Sequence, residues 1–392
     1  MQIDRTSLGS GYDRRTCWVH ARVGIHPTAN AGAPRFVTTL QRLTLSGSDV
    51  FGPIHSMSAP AWDGPWTTPA EQAGFEWPTE HRGVCDFWPI WHPGSQTLLG
   101  TGHTVAYTDG VVDATTPRFT AYASYDPGAD RWGPARTLEM PDGPTFHRAG
   151  AGCAQWADGH DGEILLPVYF GTGRLASTVV RCRFDGELLS YVEHGSQHTV
   201  EVGRGLYEPS LLAYEGRYFL TLRNDEAAHG AVSDDGLHYS DPILWRFDDG
   251  AELGSRNTQQ HWLVLEDGAY LVYTRDGLDN DHVSRNRAPL LMARLDPDRL
   301  VLLRETERVV IGERGAGLGN FGTCQGMDGA GFVMASEWMQ NSGPAREAAR
   351  SKLAERATAE EIASWESTDH GCAVCEQFGS DNSIWLARVA AA

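Results

Sequence analysis

The chain has 392 residues and a formal net charge of −19, enough length for one large domain or two to three small ones. A field that negative repels nucleic acid and anionic membrane surfaces, so neither is expected as a partner, while a small anion in a local arginine pocket stays compatible with it. No apolar run approaches the roughly 20 residues that cross a bilayer.

The opening stretch MQIDRTSLGSGYDRR lacks the apolar h-region of a signal peptide. With seven scattered cysteines, an odd number, this favours free thiols and a cytoplasmic setting. From there one pattern recurs: an apolar run, a short Gly-containing turn, and a second apolar run. RVGIHPTANAGAPRFVTTLQ is the first copy and FWPIWHPGSQTLLGTGHTVAY a looser second. Clearer copies follow around Gly162, Gly216, Gly268 and Gly329. The last begins CQGMDGAGFVMASEW, and GPAREAARSKLAERATAEEIASWES (343–367) interrupts it as one or two helices, a lid or flank over one face. SIWLARV near the C-terminus is a strand able to close a ring beside the N-terminal strands.

A spacing of about 50 to 70 residues in an all-β chain is that of propeller blades, each covering its apolar faces against its neighbours. Six copies predict a single six-bladed β-propeller. SYDPGADRWGP (Ser124–Pro134), SDDGLHYSDP (Ser233–Pro242) and the degraded SAPAWDGPWTTP (Ser58–Pro69) are structural turns: aspartate caps amides, glycine takes the unusual dihedral and an aromatic plugs the gap.

Glu208 enters and Arg223 leaves the hairpin YEPSLLAYEGRYFLTLR. Both ends of a hairpin lie at one sheet edge, so the two charges can meet there, for the fold or for a substrate. Histidines recur in the blades and their loops, including His92, His103, His147, His261 and His282. A histidine beside an arginine, as in TFHRAG with His147 and Arg148, suits β-elimination on a uronic acid: the arginine neutralises the carboxylate and histidine or tyrosine removes the acidified proton. The loop TRDGLDNDHVSRNRAP offers Asp276, Asn280, Asp281 and His282 to sugar hydroxyls, or to calcium with further oxygen donors. Trp88, Trp91, Trp262 and Trp338 are candidates to stack on sugar faces. Cys372 and Cys375 in HGCAVC have metal-like spacing, but a closed zinc site takes four ligands; no metal or other cofactor is expected.

The aspartate turns resemble the Asp boxes (BNR repeats) of the sialidase superfamily, six-bladed propellers that cleave carbohydrate. The spacing of Glu208 and Arg223 is similar to that family's glutamate and substrate-gripping arginine. The resemblance extends to HARVGIHP, making Arg22 a first arginine, to Asp49 in SGSDVF as general acid, and to Arg275 in LVYTRDG as a third arginine. It implies a glutamate acting with a tyrosine nucleophile. Where that tyrosine is expected, GLGNFGTCQG carries Phe321, whose ring cannot attack an anomeric carbon, so Tyr207 or Tyr273 is needed or the chemistry differs. Uronic-acid lyases with seven-bladed propellers are a second resemblance.

The expectation is therefore an exo-acting, sialidase-like glycoside hydrolase on a glycoside or oligosaccharide bearing a carboxylate sugar, sialic or uronic acid. Its catalytic candidates are Asp49, Glu208, His103, His147, Tyr207 and His261. Its substrate-binding candidates are Arg22, Arg148, Arg223, Arg275, Asp276, Asn280 and His282. Lyase elimination and a non-catalytic sugar-binding propeller are the alternatives.

Overall fold

The computed structural model describes residues 1–30, 33–46, 49–75, 82–113, 115–367 and 369–391. The turn of the first repeat, at Ala31 and Gly32, and Gly47 and Ser48 of SGSDVF lie outside them.

Six antiparallel sheets follow one another along the chain. Their innermost strands are Thr16–Asn30, Arg82–His92, the paired short pieces Ala149–Gly150 and Ala157–Asp158, Tyr207–Tyr214, His261–Leu265 and Phe321–Gln325. Each sheet is one blade, so the repeats and the blades coincide and the fold is a six-bladed propeller. The hairpin of blade 4 illustrates the local logic. Tyr214 pairs with Arg217 across a Glu215-Gly216 turn, and both turn residues have positive φ, 50° and 76°. That is the two-residue geometry whose twist matches its strands, and glycine takes the second position without steric cost.

The aspartate turns are structural, as their sequence implies. Asp235 Oδ1 accepts from the amides of Leu237 (2.8 Å) and His238 (2.7 Å), and Ser233 Oγ accepts from Gly236 N (2.9 Å). Asp126 Oδ1 does the same for Gly128 (2.9 Å) and Ala129 (3.1 Å).

Blade 6 closes the ring. Its outermost strand is Gln2–Ser7, antiparallel to Ile384–Ala390 in a register running from Gln2↔Ala390 to Ser7↔Trp385, with Met1 and Ile3 packed on the core. Removing residues 1–7 exposes an unpaired strand edge and uncovers that apolar surface. The truncated chain is expected to melt at least about 5 °C lower; an unchanged Tm by calorimetry would contradict ring closure by this strand.

The insertion lies between strands Gly331–Ser336 and Ile384–Ala390 and forms helices Pro344–Leu353 and Ala359–Glu366. The first starts at Pro344 and buries Ala345, Ala349 and Leu353, a four-residue stripe. The second is fixed by a Thr358–Glu361 capping box. A third helix, Cys372–Gln377, takes up the Cys-x-x-Cys pair, whose thiols are buried with Cys17 and Met339 in an apolar cluster. Among the described residues no helix is long and apolar enough to cross a membrane.

Candidate active site

Inner strands of a propeller all run the same way along the central channel, so residues near their starts gather at one end. In five blades a residue there has left-handed backbone: His20 (φ 55°), Asp86 (57°), Cys153 (59°), Glu208 (46°) and Asn257 (47°). For His20, Asp86 and Glu208 the strand register slips at that point. A bulge re-aims a side chain that regular pleating would place elsewhere. Each such residue costs of order 1–3 kcal/mol, and such conformations cluster at functional sites.

On blades 4 and 5 the re-aimed residues meet Arg223. Its Nη1 donates to Glu208 Oε2 and its Nη2 to Asn257 Oδ1, both at 2.5 Å. The hairpin charges therefore do pair, with side chains only 7% and 13% exposed. Burial works against the Arg223 charge, but Glu208 and Tyr207 outweigh it and raise its pKa. The pair is not isolated. Arg287 donates to Asn257 O from Nη2 at 2.5 Å, and its pKa is pushed well below the usual arginine value by burial, then by Arg223 and Arg285. Arg285 is lowered likewise by burial and Arg223. Arg285 and Arg287 both feel the charge of Arg223, a clustering of like charge, in a chain of net charge −19, whose repulsion an anion would relieve. Arginine's planar fork suits a carboxylate in particular.

Tyr207 and Arg204 complete this side. The Tyr207 hydroxyl donates to Asp225 Oδ1 (2.7 Å) and accepts from Arg204 Nη2 (2.5 Å); Arg204 stacks on its ring 4.6 Å from the centroid. Burial pushes the phenol up to about 12, so it stays protonated at neutral pH.

Arg22 lies fully enclosed in the floor. Its Nη2 donates to Gln259 Oε1 (3.2 Å), while Nε and Nη1 lack a partner among the described residues. Gln259 Oε1 also accepts from His261 Nε2 (3.1 Å), and His261 Nδ1 meets Ser210 Oγ (2.6 Å). Trp88 and Phe321 enclose the His261 ring at 4.5 and 4.7 Å. Burial, then Arg22, holds His261 well below its usual pKa. It is thus a neutral residue that positions Gln259 and Arg22 from beneath.

Because the folded His261 resists a proton that the unfolded chain takes up near pH 6.5, its contribution is complete above that pH. It is lost as pH falls, by up to about 1.4 kcal/mol per pH unit. His261→Gln is expected to remove that share of the slope in urea unfolding between pH 6.5 and 4.5, and an unchanged slope would contradict it.

On blades 1 to 3, Asp86 Oδ1 lies 3.2 Å from His20 Nε2 and 3.9 Å from Arg22 Nη2, and accepts from Cys153 Sγ at 2.7 Å. Burial raises the Asp86 carboxyl, but His20, His103 and Arg22 outweigh it and hold it well below the usual carboxylate range. Burial itself lowers both imidazoles, so at neutral pH the Arg22 charge and the Cys153 S–H remain as its support. His103 Nδ1 faces the Tyr169 hydroxyl at 3.4 Å, and Arg118 stacks on Tyr169 at 4.2 Å. Arg148 stands nearby, its pKa lowered by burial and then by Arg118.

The other sequence candidates fall in different places. Asp49 is exposed on the loop before strand Val50–Ala59, its charge acting on His20 and Arg285. His147 is exposed next to Arg148. Arg275 turns to the outer strand of its own blade, where Glu307 takes Nε (2.9 Å) and Nη2 (2.8 Å). Tyr273 donates to the same carboxylate at 2.6 Å. Asp276 pairs with Arg256 (2.8 Å), Asn280 Nδ2 donates to three backbone carbonyls, and His282 sits between Glu313 (2.9 Å) and Lys352 (3.1 Å). These loop contacts brace the segment that carries Arg285 and Arg287. Helix Pro344–Leu353 packs on that same segment through Lys352, which also reaches Asp279 (3.0 Å), so the insertion flanks the arginine face. Trp88 and Trp262 are buried, and Trp338 packs on His20 and Phe51. Trp91 lines an apolar cavity of about 520 Å³ at the other end of the channel.

Sequence reasoning missed Arg285, Arg287, Asn257, Asp86, His20, Cys153 and Arg118. Alignment of the inner-strand starts is the signal that finds four of them: HAR, CDF, GCA, YEP and RNT occupy the same place in successive blades.

Fold and site together define a six-bladed propeller with an arginine-rich carboxylate centre at one mouth of its channel. No protein-family model matches the chain, and no curated protein matches it. Among solved structures it is similar to Trypanosoma rangeli sialidase, with TM-score 0.56, 12% identity, and coverage of 98% of this chain and 59% of that one. It is also similar to the NanB sialidase from Streptococcus pneumoniae (TM-score 0.58, 9% identity, 85% and 67%) and to the leech intramolecular trans-sialidase (0.51, 9%, 82% and 65%). The chain thus spans about three-fifths of the length of the Trypanosoma enzyme, and at these identities what is shared is the fold.

Proposed function

We propose that the chain is an exo-acting glycoside hydrolase that cleaves the glycosidic bond of a sialic or uronic acid. The observation that carries this reading is the charge of Arg223, which is paired with Glu208 and acts on both Arg285 and Arg287. Trypanosoma rangeli sialidase, with the same fold, has been solved in complex with sialic acid, and the aspartate turns add to the likeness. In this proposal the arginines hold the substrate carboxylate and Arg22 supports them from below. Asp49, at the open mouth, gives its proton to the leaving oxygen as the glycosidic bond breaks. Water attacks the anomeric carbon and loses its proton to Glu208. Direct attack by water is favoured because Phe321 stands where the tyrosine is expected and burial pushes the Tyr207 phenol up to about 12; it inverts the anomeric centre.

One observation favours a second reading. His103, Tyr169 and Arg118 form a contiguous base, hydroxyl and cation, the groups of β-elimination on a uronic acid. There the ring proton beside the carboxylate passes to the base, the glycosidic C–O bond breaks, and a conjugated double bond remains.

A turnover panel of sialosides and uronic-acid-terminated oligosaccharides separates these. Released sugar without near-ultraviolet absorbance supports hydrolysis, and released sugar with it supports elimination. Either must vanish in Arg223→Ala. No turnover across the panel overturns both readings in favour of a sugar-binding propeller.

A further inference from the structure

Beside the arginine cluster lies a group of side chains that the proposed hydrolysis does not use. Cys85 Sγ is 3.0 Å from His103 Nε2 and 3.8 Å from Asp86 Oδ2, and that oxygen is 3.9 Å from His103 Nε2. All three residues are buried. Among the described residues this is the one set of three donors close enough to share an ion. From the geometry we infer that Cys85, Asp86 and His103 form a binding site for a divalent transition metal of the zinc class.

Successive residues of a regular strand point to opposite faces. Cys85 and Asp86 do not, because the bulge after Cys85 and the left-handed backbone of Asp86 turn the carboxylate to the thiol's side. His103 arrives as the direct cross-strand partner of Cys85. Blade 3 leaves room for the ring through two glycines. A Cβ on Gly152 would lie 1.8 Å from His103 Nδ1, and one on Gly150 would lie 2.6 Å from His103 Cβ.

The dimensions match. A point equidistant from the corners of a triangle with these three sides lies about 2.1 Å from each donor, against roughly 2.0–2.3 Å for zinc bonds to nitrogen, oxygen and sulfur. The outer partners are those of a metal site. The Tyr169 hydroxyl lies 3.4 Å from His103 Nδ1, where it is able to accept from Nδ1–H and leave the Nε2 lone pair to the cluster, while His20 and Cys153 steady the other oxygen of Asp86. A divalent ion would neutralise the thiolate of Cys85 and the carboxylate of Asp86, whose other oxygen faces Arg22 at 3.9 Å. Thiolate with imidazole suits zinc, whereas calcium and magnesium take oxygen donors.

The test is metal analysis of the full chain after expression with zinc and desalting, together with cobalt(II) titration read by its thiolate charge-transfer absorbance. The expected result is about one equivalent of metal per chain in the wild type, falling below about a tenth in Cys85→Ser and in His103→Gln. Wild-type protein with neither bound metal nor the cobalt band overturns the inference. So does full retention in both variants, which would place the metal elsewhere, for example at Cys372 and Cys375. Should the variants fold poorly by circular dichroism, X-ray absorption on wild-type protein decides: a shell containing sulfur with nitrogen or oxygen supports the site, and a shell without sulfur overturns it.

Discussion

Glu208→Gln is expected to lower kcat by about 10²–10⁴-fold, the range over which positioned general bases act. The amide keeps an oxygen to accept from Arg223 at the position now bonded at 2.5 Å, so the hairpin retains its shape while losing its base. The change also has a stability cost, since breaking a buried ion pair destabilises by about 3–5 kcal/mol when one charge is left unpaired; Asn257, on Arg223 Nη2, lessens it. Assays well below the variant's melting temperature separate the two effects. A purely structural pair gives a lower Tm with unchanged kcat for the folded fraction, and that outcome would remove Glu208 from the chemistry.

Arg287→Ala is expected to lower kcat/KM on carboxylate substrates by about 10²–10⁴-fold, the equivalent of two hydrogen bonds to a charged group at about 1.5–3 kcal/mol each. Its effect on stability should stay within about 1 kcal/mol: the bonds to Asn257 O are lost, but so is repulsion from Arg223 and Arg285. The methyl ester of the same substrate should be turned over equally by variant and wild type. Arg275→Ala is the matched control. It loses a two-pronged bond to Glu307 and should leave kcat/KM within about twofold while lowering Tm. If Arg275→Ala proves the damaging change and Arg287→Ala is silent, the arginine assignment fails.

That contrast marks how far the sequence carries. The blades were legible because every copy repeats a hairpin whose two-residue period and turn glycine are local. Arg22, Glu208 and Arg223 were legible because they border such hairpins. Arg275 borders one too, two residues past strand Gly268–Tyr273. What diverts it is Glu307 on the outer strand of its blade, a partner that no local pattern announces. Arg287 reaches the centre from deep within an irregular loop, its backbone placed by Asn280, whose amide binds the carbonyls of Arg275, Asn286 and Ala288. Asp86 and Cys153 escaped for a different reason. Neither carries a local sequence signal, and only the packing of successive blades brings the starts of blades 1, 2 and 3 together. His103 and His261 are both buried and held below their usual pKa; sequence reports which residues can titrate and not the desolvation that decides whether they do.

Recognition of a sugar's carboxylate by the arginine centre is tested most directly by calorimetric titration of wild-type protein with a matched pair, a sialic or uronic acid glycoside and its methyl ester. The acid is expected to bind at least about tenfold more tightly, with the difference shrinking as salt rises. Equal affinity for acid and ester, or binding of neither, would contradict it.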